Sequence, residues 1–393
     1  MKRIICLVCL YLLTCGAKLQ AQTFNVNINR PQHFAVQVPD GNYRVTLTLG
    51  SPERAAETVV RAENRRLMLE RVTTKKREQR QISFCVNKRT PYINKGMNVK
   101  IKDRERDYKT WNDSLDLEFA ASPAVTRIVI EPDTTAQTVY LCGNSTVTDQ
   151  PYDPYCSWGQ MLPCWFDDKV CISNHAESGL TARTFIASNR LEQVCSHLRA
   201  GDIVICEFGH NDEKEHRPGD GAWYHYIYNL KIFIDRVRQC GADIIFCTPT
   251  QRRFFEDDGK TIRSTHGEFP AAMRSIAERE NVPCIDLTSM TTTFYQALGA
   301  EGSKKSLVHY SAGTFRGQSS TLADNTHFNP YGAYEVAKMV IEGMHNISIP
   351  SINNLLSHLR TEWTYFDVSK PDSPASFHWC WSDLSDTRKP DGN

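Results

Sequence analysis

The first part of the chain alternates between apolar and polar residues at every second position, which is the period of a β-strand. The alternation is clear in Ala35–Val38 and Tyr43–Leu49, and the residues between them, Pro39–Asn42, are typical of a tight turn. Further short runs of strand-forming residues are Gln81–Val86, Asn98–Lys102, Leu115–Phe119 and Arg127–Ile130. Because few helical patterns intervene, residues 23–135 are predicted to form a β-sandwich domain.

From about residue 138 the pattern changes to short apolar runs that alternate with amphipathic segments. The apolar runs are Val139–Cys142, Val170–Ile172, Ile203–Phe208, Ile244–Cys247 and Cys284–Leu287. The amphipathic segments are Phe185–Leu198, Trp223–Cys240 and Phe269–Glu280. Buried strands separated by helices predict an α/β domain with a parallel sheet over residues 138–350. The irregular residues 351–393 are predicted to form a tail that packs on this body.

The first 21 residues have the features of an export signal. Lys2 and Arg3 precede the apolar run Ile4–Leu13, and Ala21 offers a small residue at a cleavage site. The run is too short to span a bilayer, so no integral membrane span is expected. The residues that end at Cys15 resemble a bacterial lipobox. We therefore expect an exported protein, periplasmic or extracellular, with a lipid anchor at Cys15 as an alternative.

Composition restricts the function more than the fold. The chain has 393 residues, long enough for two domains, and a formal net charge of +1, which argues against a nucleic-acid partner. Outside the signal there is no C-x-x-C pair, and no H-E-x-x-H occurs, so neither a metal nor another cofactor is expected. Cys142, Cys206 and Cys247, which lie in apolar strand-like runs, are predicted to be buried thiols, whereas Cys156, Cys164 and Cys171, which lie closer to loops, could include a disulfide bridge. The oligomeric state is left open.

Candidate site residues follow three of the predicted parallel strands, where the loops of such a sheet build a site. Ser145 comes directly after the first strand, as an exposed nucleophile would, although a serine there also suits a helix N-cap. Gly179 follows the second strand and could direct its backbone N–H group toward a ligand, or be an ordinary loop glycine. Asn211 follows the third strand and could donate its amide to an oxyanion, or simply belong to a turn.

A histidine and a carboxylate stand before the last predicted helix. Asn329 is a good N-cap and Pro330 a good first residue for a helix over Tyr331–Met344. His327 is thus predicted on the loop that enters this helix, with Asp324 three residues earlier. In a compact turn the carboxylate reaches one ring nitrogen and leaves the other for a serine hydroxyl.

The ordered set of Ser145, Gly179, Asn211 and Asp324-x-x-His327 resembles the SGNH (GDSL) hydrolases in all four motif blocks. The resemblance implies a flavodoxin-like three-layer fold, with Ser145 as nucleophile, His327 as base and Asp324 as the residue that orients it. It also implies an oxyanion hole made by the N–H groups of Ser145 and Gly179 and the Asn211 amide. The α/β-hydrolase alternative is disfavoured because no G-x-S-x-G elbow occurs.

One position departs from the family pattern. The family usually has an aspartate before the nucleophile, and this chain has Asn144. That position is not a member of the triad, so activity is expected to survive. A weakened enzyme remains an alternative.

Several further segments resemble bacterial rhamnogalacturonan acetylesterases, and this likeness extends over nearly the whole mature chain. They are Pro39–Tyr43, Arg65–Glu70, Ser157–Leu162, Arg183–Phe185, Thr265–Gly267 and Lys389–Asn393. The resemblance implies removal of O-acetyl esters from a pectic polysaccharide, which carries galacturonate. It also likens residues 23–135 to galactose-binding-like sandwiches, with packing support and sugar binding left open. Arg252 and Arg253 follow the fourth strand and could bind galacturonate carboxylates, or be a solvated surface pair.

Two other functions fit the same sequence. A lipase or thioesterase on this scaffold would need an apolar acyl channel, which sequence does not reveal. A carbohydrate-binding protein with a decayed site is suggested by Asn144. Acetate release from acetylated pectin, compared with cleavage of long-chain esters, separates the three.

Overall fold

A computed structural model describes residues 20–382 and 386–391. Most of the predicted signal segment, including Cys15, lies outside these residues. The strands are β1 (Gln22–Ile28), β2 (Gln32–Gln37), β3 (Gly41–Leu49), β4 (Ala56–Ala62), β5 (Arg66–Thr74), β6 (Arg80–Lys88), β7 (Tyr92–Asn94), β8 (Met97–Asn98), β9 (Ser114–Ser122), β10 (Val125–Pro132), β11 (Gln137–Gly143), β12 (Val170–Asn174), β13 (Ile203–Glu207), β14 (Asp243–Cys247), β15 (Cys284–Ile285), β16 (Leu307–Tyr310) and β17 (Leu322–Phe328). The α-helices are α1 (Trp158–Met161), α2 (Ala182–Ala187), α3 (Arg190–His197), α4 (Ile227–Gln239), α5 (Phe269–Arg279), α6 (Leu287–Gly302), α7 (Pro330–Met344) and α8 (Pro350–Ser357). None of the helices in the described part of the chain is both long and apolar enough to cross a membrane.

The N-terminal region consists of two antiparallel β-layers. One layer has the strand order β2-β9-β4-β5, and the other has the order β1-β10-β3-β6. Strand β3 shows why they pack together, since Val45, Leu47 and Leu49 are buried while the intervening threonines are half-exposed. These side chains form one apolar core with Leu117 and Phe119 of β9. The expected strand-rich sandwich is thus present.

The two predicted regions share one continuous sheet. Strand β6 runs parallel to β12 and pairs with it at Cys85–Cys171 and Val86–Ile172. A nine-stranded sheet results, with the order β1-β10-β3-β6-β12-β11-β13-β14-β15. Backbone hydrogen bonds thereby connect the N-terminal sandwich to the parallel strands, while the domain boundaries drawn from the sequence stay predictions.

The C-terminal half of this sheet is the middle layer of a three-layer α/β fold, as expected. Strands β11, β13 and β14 are buried on both faces, because alternate residues enter two separate apolar cores. Helices α2 to α5 cover one face, and α1, α6, α7 and α8 cover the other. The residues after α8 pack back over the second face, where Phe377 and Trp379 contact its core.

Several elements differ from their predictions. The helix predicted over Phe185–Leu198 is two helices, because Asn189 has a left-handed backbone with φ of 64°. Only the first residue of the predicted strand Asn98–Lys102 is in a strand, and the others lead into a 3-10 turn, Asp103–Glu105. The structure also contains elements that were not predicted, namely strands β1, β4, β5, β7, β16 and β17 and helices α1, α6 and α8.

The cysteines have free thiols throughout the described residues, so the bridge considered for Cys156, Cys164 and Cys171 is not formed. All three of these side chains are buried. Cys142, Cys206 and Cys247 are also buried, as their positions in apolar strands predict. A small apolar side chain accounts for cysteine at these sites without a covalent role.

Candidate active site

Ser145 lies at the carboxyl end of β11, in a tight turn that Asn144 stabilises. The Asn144 side-chain oxygen accepts the backbone N–H of Thr146 at 3.2 Å, and its carbonyl accepts those of Val147 and Thr148. Gly143 is required before this turn, because a Cβ there would lie 2.6 Å from Val147 Cγ2. The sequence therefore builds a close strand-to-turn junction that presents the Ser145 hydroxyl.

Ser145, His327 and Asp324 form a continuous chain of hydrogen bonds. His327 Nε2 is 2.9 Å from Ser145 Oγ, and His327 Nδ1 is 2.8 Å from Asp324 Oδ2. Because an ionised carboxylate only accepts, Nδ1 carries the proton and Nε2 accepts the serine hydroxyl. All three side chains are at least 95% buried, with exposures of 4%, 1% and 5%. The structure brings the three residues together across 182 positions of sequence, from Ser145 to His327.

Asp324 is held in its ionised form. Burial alone would raise its pKa, but hydrogen bonds from the His327 ring and from the backbone N–H groups of Thr326 and His327 outweigh burial and lower the pKa from 3.8 to about 2. The same backbone contacts fix the carboxylate against the imidazole. Tyr155 packs edge-on against the His327 ring, with the centroids 5.7 Å apart.

The placement of this pair corrects one prediction. Asp324 and His327 belong to strand β17, which pairs with β16, rather than to the loop that enters α7. The pairing is irregular, and this lets the Asp324 side chain cap two backbone N–H groups as it would in a turn. Asn329 does cap α7 by accepting the N–H of Gly332, and Pro330 does begin the helix.

Gly179 and Asn211 belong to the two loops beside the triad. Gly179 has a left-handed backbone, with φ of 77°, which glycine adopts without strain. The Asn211 amide donates to the carbonyl of Leu180, the next residue, at 3.2 Å. Lys214 donates to the Asn211 side-chain oxygen at 3.3 Å, so the amide is oriented with its nitrogen toward the Gly179 loop.

Asp212 joins these loops, a role that the sequence analysis missed. Its carboxylate accepts the backbone N–H of Ala182 at 2.8 Å and that of Gly209 at 2.9 Å. Burial raises its pKa to about 7, against the lowering effect of these two hydrogen bonds. The only signal in the sequence is its position directly after Asn211.

A second buried carboxylate, Glu207, lies behind the turn that contains Ser145, and the sequence did not indicate it. Glu207 accepts hydrogen bonds from the Trp158 indole at 2.5 Å and from the Thr250 backbone N–H at 3.1 Å. The Thr146 hydroxyl lies 2.9 Å from both Glu207 Oε1 and Asn144 Oδ1. Burial raises the pKa of Glu207. A charge at position 144 would therefore stand beside another carboxylate, whereas asparagine avoids this repulsion.

The guanidinium groups of Arg252 and Arg253 are buried and engaged with the protein. Arg252 pairs with Glu213 at 2.5 Å and also donates to the His210 carbonyl at 3.2 Å. Arg253 donates to Ser303 at 2.9 Å and to the side chain of Asn325, the residue after Asp324, at 3.1 Å. These contacts overturn the solvated-pair alternative, because both side chains are buried and paired within the protein. Binding of substrate carboxylates by the two arginines stays a prediction. The contacts with protein groups argue against it.

One cluster in the described part of the chain has metal-ligand chemistry, namely Glu215, Asp220 and His225. Arg183 pairs with both carboxylates, at 2.6 and 3.0 Å. His225 Nδ1 accepts the N–H of Gly221 and its Nε2 lies 2.8 Å from Glu215. Protein groups therefore satisfy the charges of this cluster.

A sequence profile of the GDSL-like lipase/acylhydrolase family matches residues 141–333. This stretch contains Ser145, Gly179, Asn211, Asp324 and His327. Rhamnogalacturonan acetylesterase RhgT from Bacillus subtilis (strain 168) is 37% identical over 221 residues, which are 56% of this chain and 94% of that protein. The chain belongs to the GDSL-like lipase/acylhydrolase family. This GDSL hydrolase is accordingly a carboxylic ester hydrolase, as its sequence predicts.

Two further proteins resemble this GDSL hydrolase. Rhamnogalacturonan acetylesterase from Emericella nidulans is 28% identical over 207 residues, which are 46% of this chain and 79% of that protein. The crystal structure of the protein YXIM from Bacillus subtilis is 23% identical, with a TM-score of 0.49 and a coverage of 81% of each chain.

Proposed function

We propose that this GDSL hydrolase is a serine esterase that removes O-acetyl groups from a pectic polysaccharide of the rhamnogalacturonan type. The observation that carries the proposal is the hydrogen-bonded chain from Ser145 Oγ through His327 to Asp324. The substrate class is supported by the names of the two relatives, rhamnogalacturonan acetylesterases that are 37% and 28% identical to this chain.

In the first step the Ser145 oxygen attacks the acetyl carbonyl carbon while His327 Nε2 takes the hydroxyl proton. Asp324, with its pKa of about 2, stays ionised and stabilises the imidazolium that forms. The tetrahedral intermediate collapses when His327 returns the proton to the sugar oxygen, which leaves. Water then hydrolyses the acetyl-serine by the same steps in reverse order.

The negative charge of the intermediate would be stabilised by the backbone N–H groups of Ser145 and Gly179 and by the Asn211 amide. Support for Asn211 comes from its two fixed contacts, with Leu180 and Lys214, which hold the amide before substrate binds. Donors fixed in advance contribute most to catalysis, because no reorganisation accompanies the reaction; loss of one costs roughly 10²- to 10³-fold in rate.

Asn144 is compatible with an active enzyme. Its side chain holds the nucleophile turn through Thr146, and the buried carboxylate of this region is supplied by Glu207. The intact hydrogen-bonded chain favours catalysis over the weakened carbohydrate-binding alternative. Export, which the N-terminal sequence predicts, would bring the enzyme to a polymer outside the cell.

The test compares acetate release from acetylated rhamnogalacturonan with hydrolysis of a long-chain neutral ester. Ser145→Ala and His327→Ala are each expected to reduce turnover by up to about 10⁶-fold, and the double variant should be little worse than either. Ser320→Ala and His216→Ala are matched controls, because both side chains are exposed.

The outcomes separate the candidates. Turnover near the wild-type value in a folded Ser145→Ala protein would contradict the assigned roles. A strong preference for the long-chain ester would favour a lipase or thioesterase. Binding of the polymer without hydrolysis of either ester would favour the carbohydrate-binding alternative.

A further inference from the structure

Two cations of the N-terminal region lie beside the candidate active site. The 3-10 turn Asp103–Glu105 packs against the loop that follows β12. Lys102 donates its ammonium group to the carbonyl of Ser178, and Arg104 Nε lies 3.8 Å from Glu177 Oε1. The N-terminal region thereby places Lys102 and Arg104 next to the Gly179 loop.

A carboxylate of the same chain occupies this cationic pair. Asp391 Oδ2 is 3.1 Å from Lys102 Nζ, and Asp391 Oδ1 is 3.0 Å from Arg104 Nη1. A Cβ on Gly179 would lie 2.9 Å from Asp391 Cβ, so the aspartate is in close contact with the loop of the proposed oxyanion hole. Burial alone would raise the pKa of Asp391, but the two cations lower it, and the carboxylate is ionised.

Asp391 belongs to residues 386–391, here called the C-terminal segment, which passes the candidate active site. At its start the Asp386 N–H donates to the carbonyl of Asp153 at 2.9 Å. Farther along, Lys389 Nζ lies 3.8 Å from the carboxylate of Asp324. The segment therefore passes the triad before Asp391 reaches the Gly179 loop.

The side chains in this contact remain open to solvent. Those of Lys102 and Arg104 are 31% and 29% exposed, and that of Asp391 is 47% exposed. Ion pairs with this much exposure are weak, so another carboxylate can displace Asp391 at little cost. Arg252 and Arg253, in contrast, are at most 9% exposed and have protein partners.

We propose that Lys102 and Arg104 bind the carboxylate of a uronate unit of the substrate, and that Asp391 occupies their site when substrate is absent. This inference rests on the proposed function, because it concerns the substrate of the same site. Lys102 and Arg104 are positioned to hold this uronate unit while the acetyl ester of the substrate is presented to Ser145. Asp391 then competes with the substrate and lowers its apparent affinity in proportion to the time that Asp391 occupies the pair.

The test measures kcat and KM for acetate release from acidic acetylated pectic oligomers and from a small neutral acetate ester. Lys102→Gln combined with Arg104→Gln is expected to lower the ratio of the two kcat/KM values several-fold, up to about tenfold, since two solvent-exposed ion pairs with the substrate carboxylate are lost. Asp391→Asn is expected to lower KM for the acidic substrate several-fold. Added salt should reduce the wild-type preference for the acidic substrate, because the contacts are exposed. Arg106→Gln and Asp367→Asn are controls, because both side chains lie away from the contact with Asp391.

A second measurement does not depend on hydrolysis. Binding of deacetylated galacturonate oligomers to full-length Ser145→Ala protein is followed by calorimetry, with a neutral oligosaccharide as the reference ligand. Asp391→Asn should tighten binding of the acidic oligomer, and the Lys102 and Arg104 substitutions should weaken it.

The proposal is overturned if acidic and neutral oligomers bind equally. It is also overturned if Asp391→Asn raises KM for both substrates, which is the result expected if Asp391 only supports the structure of the site. Failure of the proposed function gives a different result, namely no acetate release by the wild-type protein, whether or not the acidic oligomer binds.

Discussion

Glu105 anchors the turn that carries Lys102 and Arg104, and its replacement by alanine is expected to destabilise the protein strongly. The carboxylate accepts two hydrogen bonds from Arg190 Nη2, each of 2.7 Å, together with one from the Trp111 indole and one from the Lys102 backbone N–H. The side chains of Glu105 and Arg190 are both 1% exposed. The pair joins the N-terminal region to helix α3 beneath the site.

The expected loss of stability follows from the positive charge that remains buried on Arg190. Glu105→Ala leaves the Arg190 guanidinium buried without its carboxylate, and removal of one partner of such a pair costs roughly 3–5 kcal/mol. Asp103→Ala in the same turn is the matched control, because Asp103 is 93% exposed and its ion-pair partner, Arg106, is itself 71% exposed. Its expected cost is about 1 kcal/mol or less.

The measurement is urea unfolding followed by two independent probes, whose coincidence checks that a single transition is observed. Glu105→Leu combined with Arg190→Met should be less destabilising than Glu105→Ala alone, because no unpaired charge stays buried. If Glu105→Ala lowers the free energy of unfolding by an amount within about 1 kcal/mol of the effect of Asp103→Ala, the expected role of the buried pair is refuted.

Three further predictions concern the site itself. Asn144→Asp should change the catalytic rate by less than about tenfold but reduce stability at pH 7 by roughly 1–3 kcal/mol, because the new carboxylate stands beside Glu207. Denaturation at pH 7 and pH 5 checks this, since protonation of one carboxyl should relieve part of the loss at the lower pH. Ionised Asp324 stabilises the fold above its unfolded pKa of 3.8, and this contribution is lost as the pH falls toward its folded pKa of about 2. The difference in unfolding free energy between the wild type and Asp324→Asn should therefore shrink by about 1 kcal/mol between pH 5 and pH 3, and a constant difference would contradict the lowered pKa. Gly179→Ala should lower the thermal midpoint more than Gly201→Ala, because both positions have positive φ but only the first meets the C-terminal segment; equal losses would mean that this contact is immaterial.

Local signals along the chain were sufficient for much of the fold and for the selection of the site residues. Alternating apolar and polar residues placed β3, continuous apolar runs placed β11 and β13, and the pair Asn329–Pro330 placed the start of α7. These signals are local because an N-cap or a buried strand is recognisable from a few consecutive residues. Ser145 and His327 were selected by their positions after a strand and before a helix, and the structure places Ser145 Oγ 2.9 Å from His327 Nε2.

Tertiary structure alone decided which distant segments meet. Strand β6 pairs with β12 and so joins the sandwich to the parallel sheet. The sequence did not indicate this pairing, because backbone hydrogen bonds are the same for any partner strand. The same contact between regions determines the charges at the site. Arg252 and Arg253 follow a strand as predicted but turn into the protein, whereas Lys102 and Arg104, from a segment predicted in part as a strand, reach the Gly179 loop. Chain order shows which side chains are available for a site, but burial and pairing across the whole fold determine which of them remain free to meet a substrate.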